Sequence, residues 1–197
     1  MDGLRVIVGL GNPGPAYERS RHNAGADWVR LVGAARGAQW RREARFFGDT
    51  ARVDVHGRSL WLLVPDTYMN RSGQAVAALL HFHRVNPAEM LVAHDDLDLP
   101  PGTVRLKRGG GHGGHNGLRD IMQALGGARD FIRLRIGIGH PGPGGDVVGY
   151  VLRRPTPEER ERIDAGCACS LDILPALVSG DWDRAVRELH TGDRDTR

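Results

Sequence analysis

The chain has 197 residues, of which 40% are hydrophobic and 26% charged, and its formal net charge is +3. A chain of this size can bury a full core without a disulfide or metal staple, and two cysteines without a secretion signal indicate reduced thiols. No apolar run approaches the roughly 18 residues that a membrane span requires. We therefore expect a cytoplasmic protein that does not bind membranes.

The first half of the chain alternates between apolar runs and turn signals. Residues 4–9 (LRVIVG) are typical of a buried strand, and residues 22–36 of a helix. Residues 44–65 alternate in places and break at His56-Gly57-Arg58, which predicts a β-hairpin. Ser72 is predicted to cap a helix that carries apolar residues on one face.

The second half continues the alternation. Thr156 followed by Pro157 and Glu159 predicts a helix start, because these residues form a capping box with proline at the first helical position. Cys167 and Cys169 lie two residues apart on that helix, so they point in different directions and cannot pair. Strands are predicted at 90–93, 103–106 and 131–138, helices at 116–125 and 182–190, and a flexible tail at 191–197.

Interleaved strands and helices indicate an α/β fold. Because the hairpin adds antiparallel pairing, we predict a twisted, mixed β-sheet with helices on both faces. The chain has no internal repeat and no low-complexity linker, so residues 1–190 are predicted to form a single domain, with the C-terminal helices near the cleft.

Polar segments follow several apolar strands, and the strand ends of an open α/β sheet are where ligands bind. The first segment contains Gly9-x-Gly11-x-x-Gly14, which formally matches a dinucleotide-binding loop. Pro13 and Pro15 interrupt that loop, and no acidic residue follows at the required distance. We therefore expect no NAD or FAD, and no other cofactor.

A glycine tract occupies residues 109–117 (GGGHGGHNG), beside Lys107, the only lysine in the chain. Successive backbone N–H groups in such a loop can turn towards one ligand, and the positive end of the following helix adds to the effect. The tract is not a Walker A loop, since no Gly-Lys-Ser/Thr ends it. A flexible linker remains the alternative, although linkers seldom carry two histidines and an asparagine.

The histidines and acidic residues suggest general base catalysis more strongly than metal binding. None of them reproduces a known metal-ligand spacing, so no metal is expected. An imidazole can take a proton from water near neutral pH, and a carboxylate on its other nitrogen fixes the tautomer. Asp95 could serve His22 in this way, although spacing alone does not pair them. Because no GxSxG motif is present, water is the expected nucleophile.

Taken together, these segments resemble the bacterial-type peptidyl-tRNA hydrolase family. The matching motifs follow the order and spacing of that family across roughly residues 4–152, whereas the C-terminal helices match only in character. The motifs are GLGNPGPAYERSRHNAG, PDTYMNRSG, HDDLDLPPGTVRLKRGGGHGGHNGLRDI, FIRLRIGIGHPG and VVGYVL. Ser20 stands where threonine is common, and HDD where HDE is frequent.

The resemblance implies hydrolysis of the ester bond between a peptide, or an N-blocked aminoacyl group, and the 3′ ribose of tRNA. His22 matches the general base, and Asp95 its carboxylate partner. Lys107 and Arg135 match basic residues proposed to meet the terminal phosphate of tRNA. Residues that match the family's peptide-binding cleft are Asn12, Tyr17, Met69, Asn70, His115 and Asn116.

The resemblance further implies that tRNA is the partner, that no cofactor is used and that the protein is a monomer. Two other classes stay open on the sequence. One is an RNA-binding module on the same fold that has lost hydrolysis. The other is a nucleotide-binding enzyme that uses the glycine tract, although its motif is missing.

Overall fold

The computed structural model describes residues 3–192, which form seven strands and seven α-helices joined by short 3₁₀ turns. The strands are β1 (Val6–Gly9), β2 (Arg41–Glu43), β3 (Gly48–Val55), β4 (Arg58–Pro65), β5 (Met90–Asp96), β6 (Val104–Arg108) and β7 (Ile132–Gly137). The helices are α1 (Ala24–Ala35), α2 (Ser72–His83), α3 (Asn116–Ala124), α4 (Val147–Leu152), α5 (Pro157–Cys169), α6 (Leu174–Ser179) and α7 (Trp182–Gly192).

All seven strands belong to one sheet, in the order β2-β3-β4-β1-β5-β7-β6. The four central strands β4, β1, β5 and β7 are parallel, and antiparallel strands flank them on both sides. Helices cover both faces, which confirms the predicted α/β fold with a mixed sheet. Strand β1, in the middle of the sheet, is a continuous apolar run because both of its faces are buried.

Two apolar cores lie on opposite faces of the sheet. Leu91 and Leu134 point into the core that contains α1 and α5 to α7, whereas Val92 points into the core under α2 and α3. Side chains alternate along a strand, so Arg133 and Arg135 of β7 point away from the core that receives Leu134. A basic strip therefore lies beside the core under α2 and α3, on the same face of the sheet.

The hairpin and most predicted elements are confirmed, with a few differences. Ser72 does not cap α2: it is the first helical residue, and its hydroxyl donates to the Met69 carbonyl oxygen at 2.8 Å. Thr156 and Glu159 do form the predicted capping box of α5. Cys167 is buried and Cys169 exposed, and both are free thiols. The short elements β2 and α4 were not predicted.

The predicted tail lies largely outside the described residues. Helix α7 continues to Gly192, two residues beyond the predicted end of the last helix, and residues 193–197 are not described. Among residues 3–192, no helix combines the length and the apolar character that crossing a membrane would demand.

Candidate active site

A cleft of about 870 Å³ opens where the carboxyl ends of β1, β4 and β5 meet the glycine tract and α4. It brings together most of the side chains singled out from the sequence. Those that line it are Asn12, His22, Met69, Asn70, Asp95, Lys107, His115, Asn116 and Arg135. Tyr17 is not among the lining residues: its ring packs edge-on against Tyr68, which does line the cleft, with centroids 6.4 Å apart.

His22 and Asp95 are in direct contact at the floor of this cleft. The Nδ1 atom of His22 lies 2.9 Å and 3.1 Å from the two carboxylate oxygens of Asp95. The side chain of Asp95 is only 3% exposed, and that of His22 is 12% exposed. Because Asp95 accepts the Nδ1 proton, the lone pair of the neutral imidazole lies on Nε2, where it can serve a ligand.

The contact depends on how closely the start of α1 approaches β5. His22 lies on a 3₁₀ turn just before α1, and Asp95 is the second-last residue of β5. Gly25 faces the carbonyl oxygen of Ala93, where any β-carbon would collide with the strand backbone. The same oxygen accepts from Leu10 N at 3.1 Å, so the β1 loop, α1 and β5 converge at one point.

Asp95 also accepts a hydrogen bond from His115, whose Nε2 lies 3.0 Å from Oδ1. The other ring nitrogen, Nδ1, accepts from the backbone N–H groups of Gly117 and Leu118 at the start of α3. An imidazole that accepts at Nδ1 carries its proton on Nε2, so His115 donates to Asp95. One residue therefore caps α3 and holds the buried carboxylate.

The neighbouring His94 contacts both Asp95 and His115. Its Nδ1–H donates to the Asp95 carbonyl oxygen at 2.7 Å, and its ring packs edge-on against His115 with centroids 5.1 Å apart. Its Nε2 is buried and finds no partner among the described residues. Burial, helped by the neighbouring His115, lowers the pKa of His94 to about 4. His94 is therefore neutral at physiological pH.

The electrostatics of the pair suit a general base. Burial by itself would lower the pKa of His22, but the charge and hydrogen bond of Asp95 outweigh burial and raise the pKa above 6.5. Burial would raise the pKa of Asp95, yet the two imidazoles hold it well below its usual range. Asp95 thus stays a carboxylate while His22 takes up and releases the proton.

Amide side chains line the same cleft as the imidazole. Asn12 Oδ1 accepts from Met69 N at 2.7 Å, and the backbone of Asn12 makes two hydrogen bonds with the buried Asn23, of 2.8 and 2.9 Å. With its oxygen engaged, the Asn12 amide offers its NH₂ group. Asn70 and Asn116 are exposed at the starts of α2 and α3, where their amides are open to a ligand.

Cations gather at the β6–β7 side of the cleft. Lys107 is exposed, whereas Arg135 is already paired with Asp96 through a 2.7 Å contact from Nε. The sequence reasoning missed Arg133, a buried arginine that also lines the cleft. A signal for it existed, since the alternation Arg-Leu-Arg in the β7 run places Arg133 on the same face of the sheet as Arg135.

One group of side chains within residues 3–192 has donor atoms close enough to consider a metal ion: His22, Asp95 and His115, with one donor atom from each within 4.8 Å of the others. The facing atoms of this group already hydrogen-bond to one another. An ion would have to replace those contacts. The hydrogen-bonded arrangement accounts for all three residues.

Comparison with known proteins agrees with this geometry. The family model described as peptidyl-tRNA hydrolase matches residues 6–196. The chain is 53% identical to peptidyl-tRNA hydrolases of Azotobacter vinelandii and Pseudomonas putida, over 97% of its length and 98% of theirs. A crystal structure of peptidyl-tRNA hydrolase from Acinetobacter baumannii superimposes with a TM-score of 0.92 at 43% identity, covering 96% of this chain and 95% of that one. The chain belongs to the peptidyl-tRNA hydrolase family.

Proposed function

We propose that this protein hydrolyses the ester bond that joins a peptide, or an N-blocked aminoacyl group, to the 3′ ribose of tRNA. The observation that carries the proposal is the hydrogen-bonded pair of His22 and Asp95 in an amide-lined cleft. Membership of the family supports the substrate, and the geometry supports the chemistry. The products are a free peptide and a tRNA with a free 3′ hydroxyl.

Water is the nucleophile in the proposed reaction. The Nε2 atom of His22 removes a proton from water as the water oxygen attacks the ester carbonyl carbon. The tetrahedral intermediate then collapses, the bond from carbon to the ribose oxygen breaks, and the imidazolium returns its proton to that oxygen. Asp95 stays ionised throughout and stabilises the imidazolium.

Side-chain amides are assigned to binding and charge stabilisation. The NH₂ groups of Asn12, Asn70 and Asn116 can donate to the peptide carbonyls and to the oxyanion that develops. Met69 and His115 complete the wall next to His22. Tyr17 acts through Tyr68 in this proposal, since it lies behind that ring.

Cysteine chemistry does not fit the site. Burial raises the pKa of the Cys167 thiol to about 12, and that thiol belongs to the core beneath α5. A thiol held protonated in this way is a poor nucleophile. Neither Cys167 nor Cys169 lines the cleft, so the proposed nucleophile is water activated by His22 and not a cysteine thiolate.

The nucleic acid part of the substrate is assigned to the basic side of the cleft. We assign Lys107 and Arg135 to the terminal phosphate of tRNA, because both cations line this side of the cleft. Because Arg135 is held by Asp96, Lys107 is the more available of the two cations. We also propose that the protein works as a monomer in the cytoplasm.

The test uses two substrates that differ only at the amino group. Incubation with N-acetyl-aminoacyl-tRNA should release tRNA rapidly, and incubation with the same aminoacyl-tRNA bearing a free amine should release little. His22→Ala should lower turnover by about 10²–10⁴-fold, the range of a lost general base, while tRNA binding is largely kept. His81→Ala, on the exposed side of α2, serves as the matched control.

Each result discriminates between the candidate functions. Equal release from both substrates would mean that the blocked amine is not recognised. Binding of tRNA without any release would favour an RNA-binding module on this fold. Near-normal turnover of His22→Ala would remove His22 from its role.

A further inference from the structure

Arg133 lies under the glycine tract with an unusual set of partners. Its guanidinium donates from Nη1 to the Gly111 carbonyl oxygen at 2.7 Å and from Nη2 to the Gly110 carbonyl oxygen at 2.6 Å. The residue is only 2% exposed, and its Nε is buried without a partner among the described residues. Within residues 3–192, no carboxylate lies within salt-bridge distance of it. Arg133 is thus a buried cation whose hydrogen bonds go to backbone carbonyls, with its guanidinium 4.9 Å from the centre of the Phe131 ring.

A second cation faces Arg133 directly. Lys107 is its cross-strand neighbour in the antiparallel pairing of β6 with β7. A β-carbon placed on Gly110 would lie 3.2 Å from Lys107 Nζ and 3.3 Å from Arg133 Nη1, so both cations approach the same glycine. Like charges directly opposite each other destabilise a sheet. The repulsion between Lys107 and Arg133 therefore destabilises the folded protein, and a negatively charged ligand bound beside them would reduce that repulsion.

The two hydrogen bonds determine which way the tract presents its backbone. In a trans peptide, the N–H points opposite to the C=O. The carbonyls of Gly110 and Gly111 turn towards Arg133, so the N–H groups of Gly111 and His112 turn away from it. Neither N–H has a hydrogen-bond acceptor among the described residues. Gly111 and His112 both line the cleft, where these donors remain free for a ligand.

We propose that Arg133 is a positioning residue, which fixes the glycine tract over the basic side of the cleft so that the tract and Lys107 bind the nucleic acid part of the substrate. This inference rests on the proposed function. Arg133 is only 2% exposed and both of its terminal nitrogens are bonded to carbonyls of the tract, so it acts through the tract. The planar guanidinium suits the role because it holds two adjacent carbonyls at once.

The proposal predicts an effect on binding rather than on the chemical step. Arg133→Gln should raise the Kd for deacylated tRNA and the KM for N-acetyl-aminoacyl-tRNA about tenfold, the scale expected for losing a charged hydrogen bond, with kcat nearly unchanged. Arg133→Lys keeps the charge but cannot donate to both carbonyls in the same way, so it should raise Kd and KM by a smaller factor. In both variants the backbone N–H order parameters of residues 110–114 should fall below those of the parent protein, because the tract loses the contact that holds its carbonyls.

Arg129→Gln is the matched control. Arg129 is an exposed arginine whose charge acts on Arg133, and its side chain makes no hydrogen bond to the tract. The control removes one positive charge nearby and should change KM little. Equal weakening by Arg129→Gln and Arg133→Gln, together with normal binding by Arg133→Lys, would overturn the proposal in favour of general charge. A loss of kcat at constant KM would also overturn it.

Two features keep the test decisive. If Arg133→Gln fails to fold, the KM of Arg133→Lys and the order parameters of its glycine tract decide the question, since lysine preserves the buried charge. Binding of deacylated tRNA involves no ester. A parent protein that binds tRNA but releases no peptide would therefore contradict the proposed hydrolysis and leave the role of Arg133 open to the same measurement.

Discussion

At the level of single residues, Asp95 organises the cleft. Its carboxylate accepts hydrogen bonds from His22 and His115, and its backbone carbonyl accepts from His94. Burial and the carboxylate act in opposite directions on the pKa of His22, and the carboxylate prevails. The basicity of His22 is therefore a property of the pair, and it should change sharply when the charge is removed.

Asp95→Asn tests this balance through the pH dependence of kcat/KM. The base must be neutral to act, so the parent activity should rise with pH around a midpoint above 6.5, the direction in which the pKa of His22 is shifted. Without the carboxylate only burial remains, and the midpoint should move to lower pH. Turnover should also fall by roughly 10²-fold or more at every pH, because the imidazole loses its orientation.

The measurement is kcat/KM between pH 5 and 9, with Asp130→Asn on an exposed loop as the control for lost charge. An acid limb that stays at the same pH in Asp95→Asn would show that the carboxylate does not set the basicity of His22.

The sequence was informative about residue identities and silent about their contacts. His22 and Asp95 could be named from chemical type and family resemblance, although 73 positions separate them and only the fold brings them together. Arg135 was matched to a phosphate, yet its pairing with Asp96 could not be foreseen. Arg133 was missed because the alternation in β7 shows only which face it lies on, and not that it is buried and bonded to carbonyls of the glycine tract.

At the level of elements, α1 packs closely against β5 because Gly25 has no side chain at the contact. A β-carbon at Gly25 would strike the carbonyl of Ala93, two residues before Asp95. A β-carbon at Gly9 would likewise strike the Gly25 backbone and the Val29 side chain. These glycines let helix and strand backbones approach closely enough for His22 to reach the carboxylate.

Gly25→Ala should therefore weaken both the fold and the site. Adding a methyl group to this contact should destabilise the protein by about 1–3 kcal/mol, as overpacking does elsewhere. It should also lower kcat, since α1 and the turn that carries His22 must move away from β5. Urea denaturation and steady-state kinetics measure the two effects.

Ala34→Ser is a suitable control, because it adds one atom at an exposed position of the same helix. If Gly25→Ala keeps the stability and kcat of the parent, the close approach of α1 to β5 is not what brings His22 to Asp95.

The elements themselves were largely predictable where hydrophobic periodicity is strong. Strand β1 and the first four residues of β5 (Met90–Ala93) are continuous apolar runs, and the hairpin of β3 and β4 has a turn signal at its centre. Strand β2 was missed because it is three residues long and charged (Arg41–Glu43). Ser72 was misjudged as a cap, since its hydroxyl bonds back to Met69 in the preceding 3₁₀ turn.

At the level of the whole molecule, helix α5 is bonded to the 3₁₀ turn that carries His22. The guanidinium of Arg21, next to His22, bonds Glu159 of α5 at 2.6 Å and the Tyr150 carbonyl at 3.1 Å. It also lies 4.0 Å above the Tyr150 ring. Val147 and Val151 of the adjoining α4 line the cleft. Arg21 therefore connects the turn that carries His22 to α5 and to α4, the helix that forms one wall of the cleft.

The Glu159→Gln variant tests whether the bond between Glu159 and Arg21 affects turnover, apart from the contribution of Glu159 to the stability of α5. Glutamine keeps an oxygen for the Thr156 N–H of the capping box, so mainly the charge opposite Arg21 is lost. The change should destabilise the protein by about 2 kcal/mol, since the bond to a buried cation is weakened, and should lower kcat as the turn loosens.

Thr156→Ala is the comparison, because it removes the cap of the same helix and should cost about 1 kcal/mol without changing kcat. Denaturation and kinetics of both variants decide the matter. Glu159 touches no reacting atom in the proposed mechanism, so a selective loss of kcat in Glu159→Gln would have to pass through Arg21 to His22. If both variants lose stability and neither loses kcat, the C-terminal helices only cover the sheet, and the turn before α1 holds His22 without them.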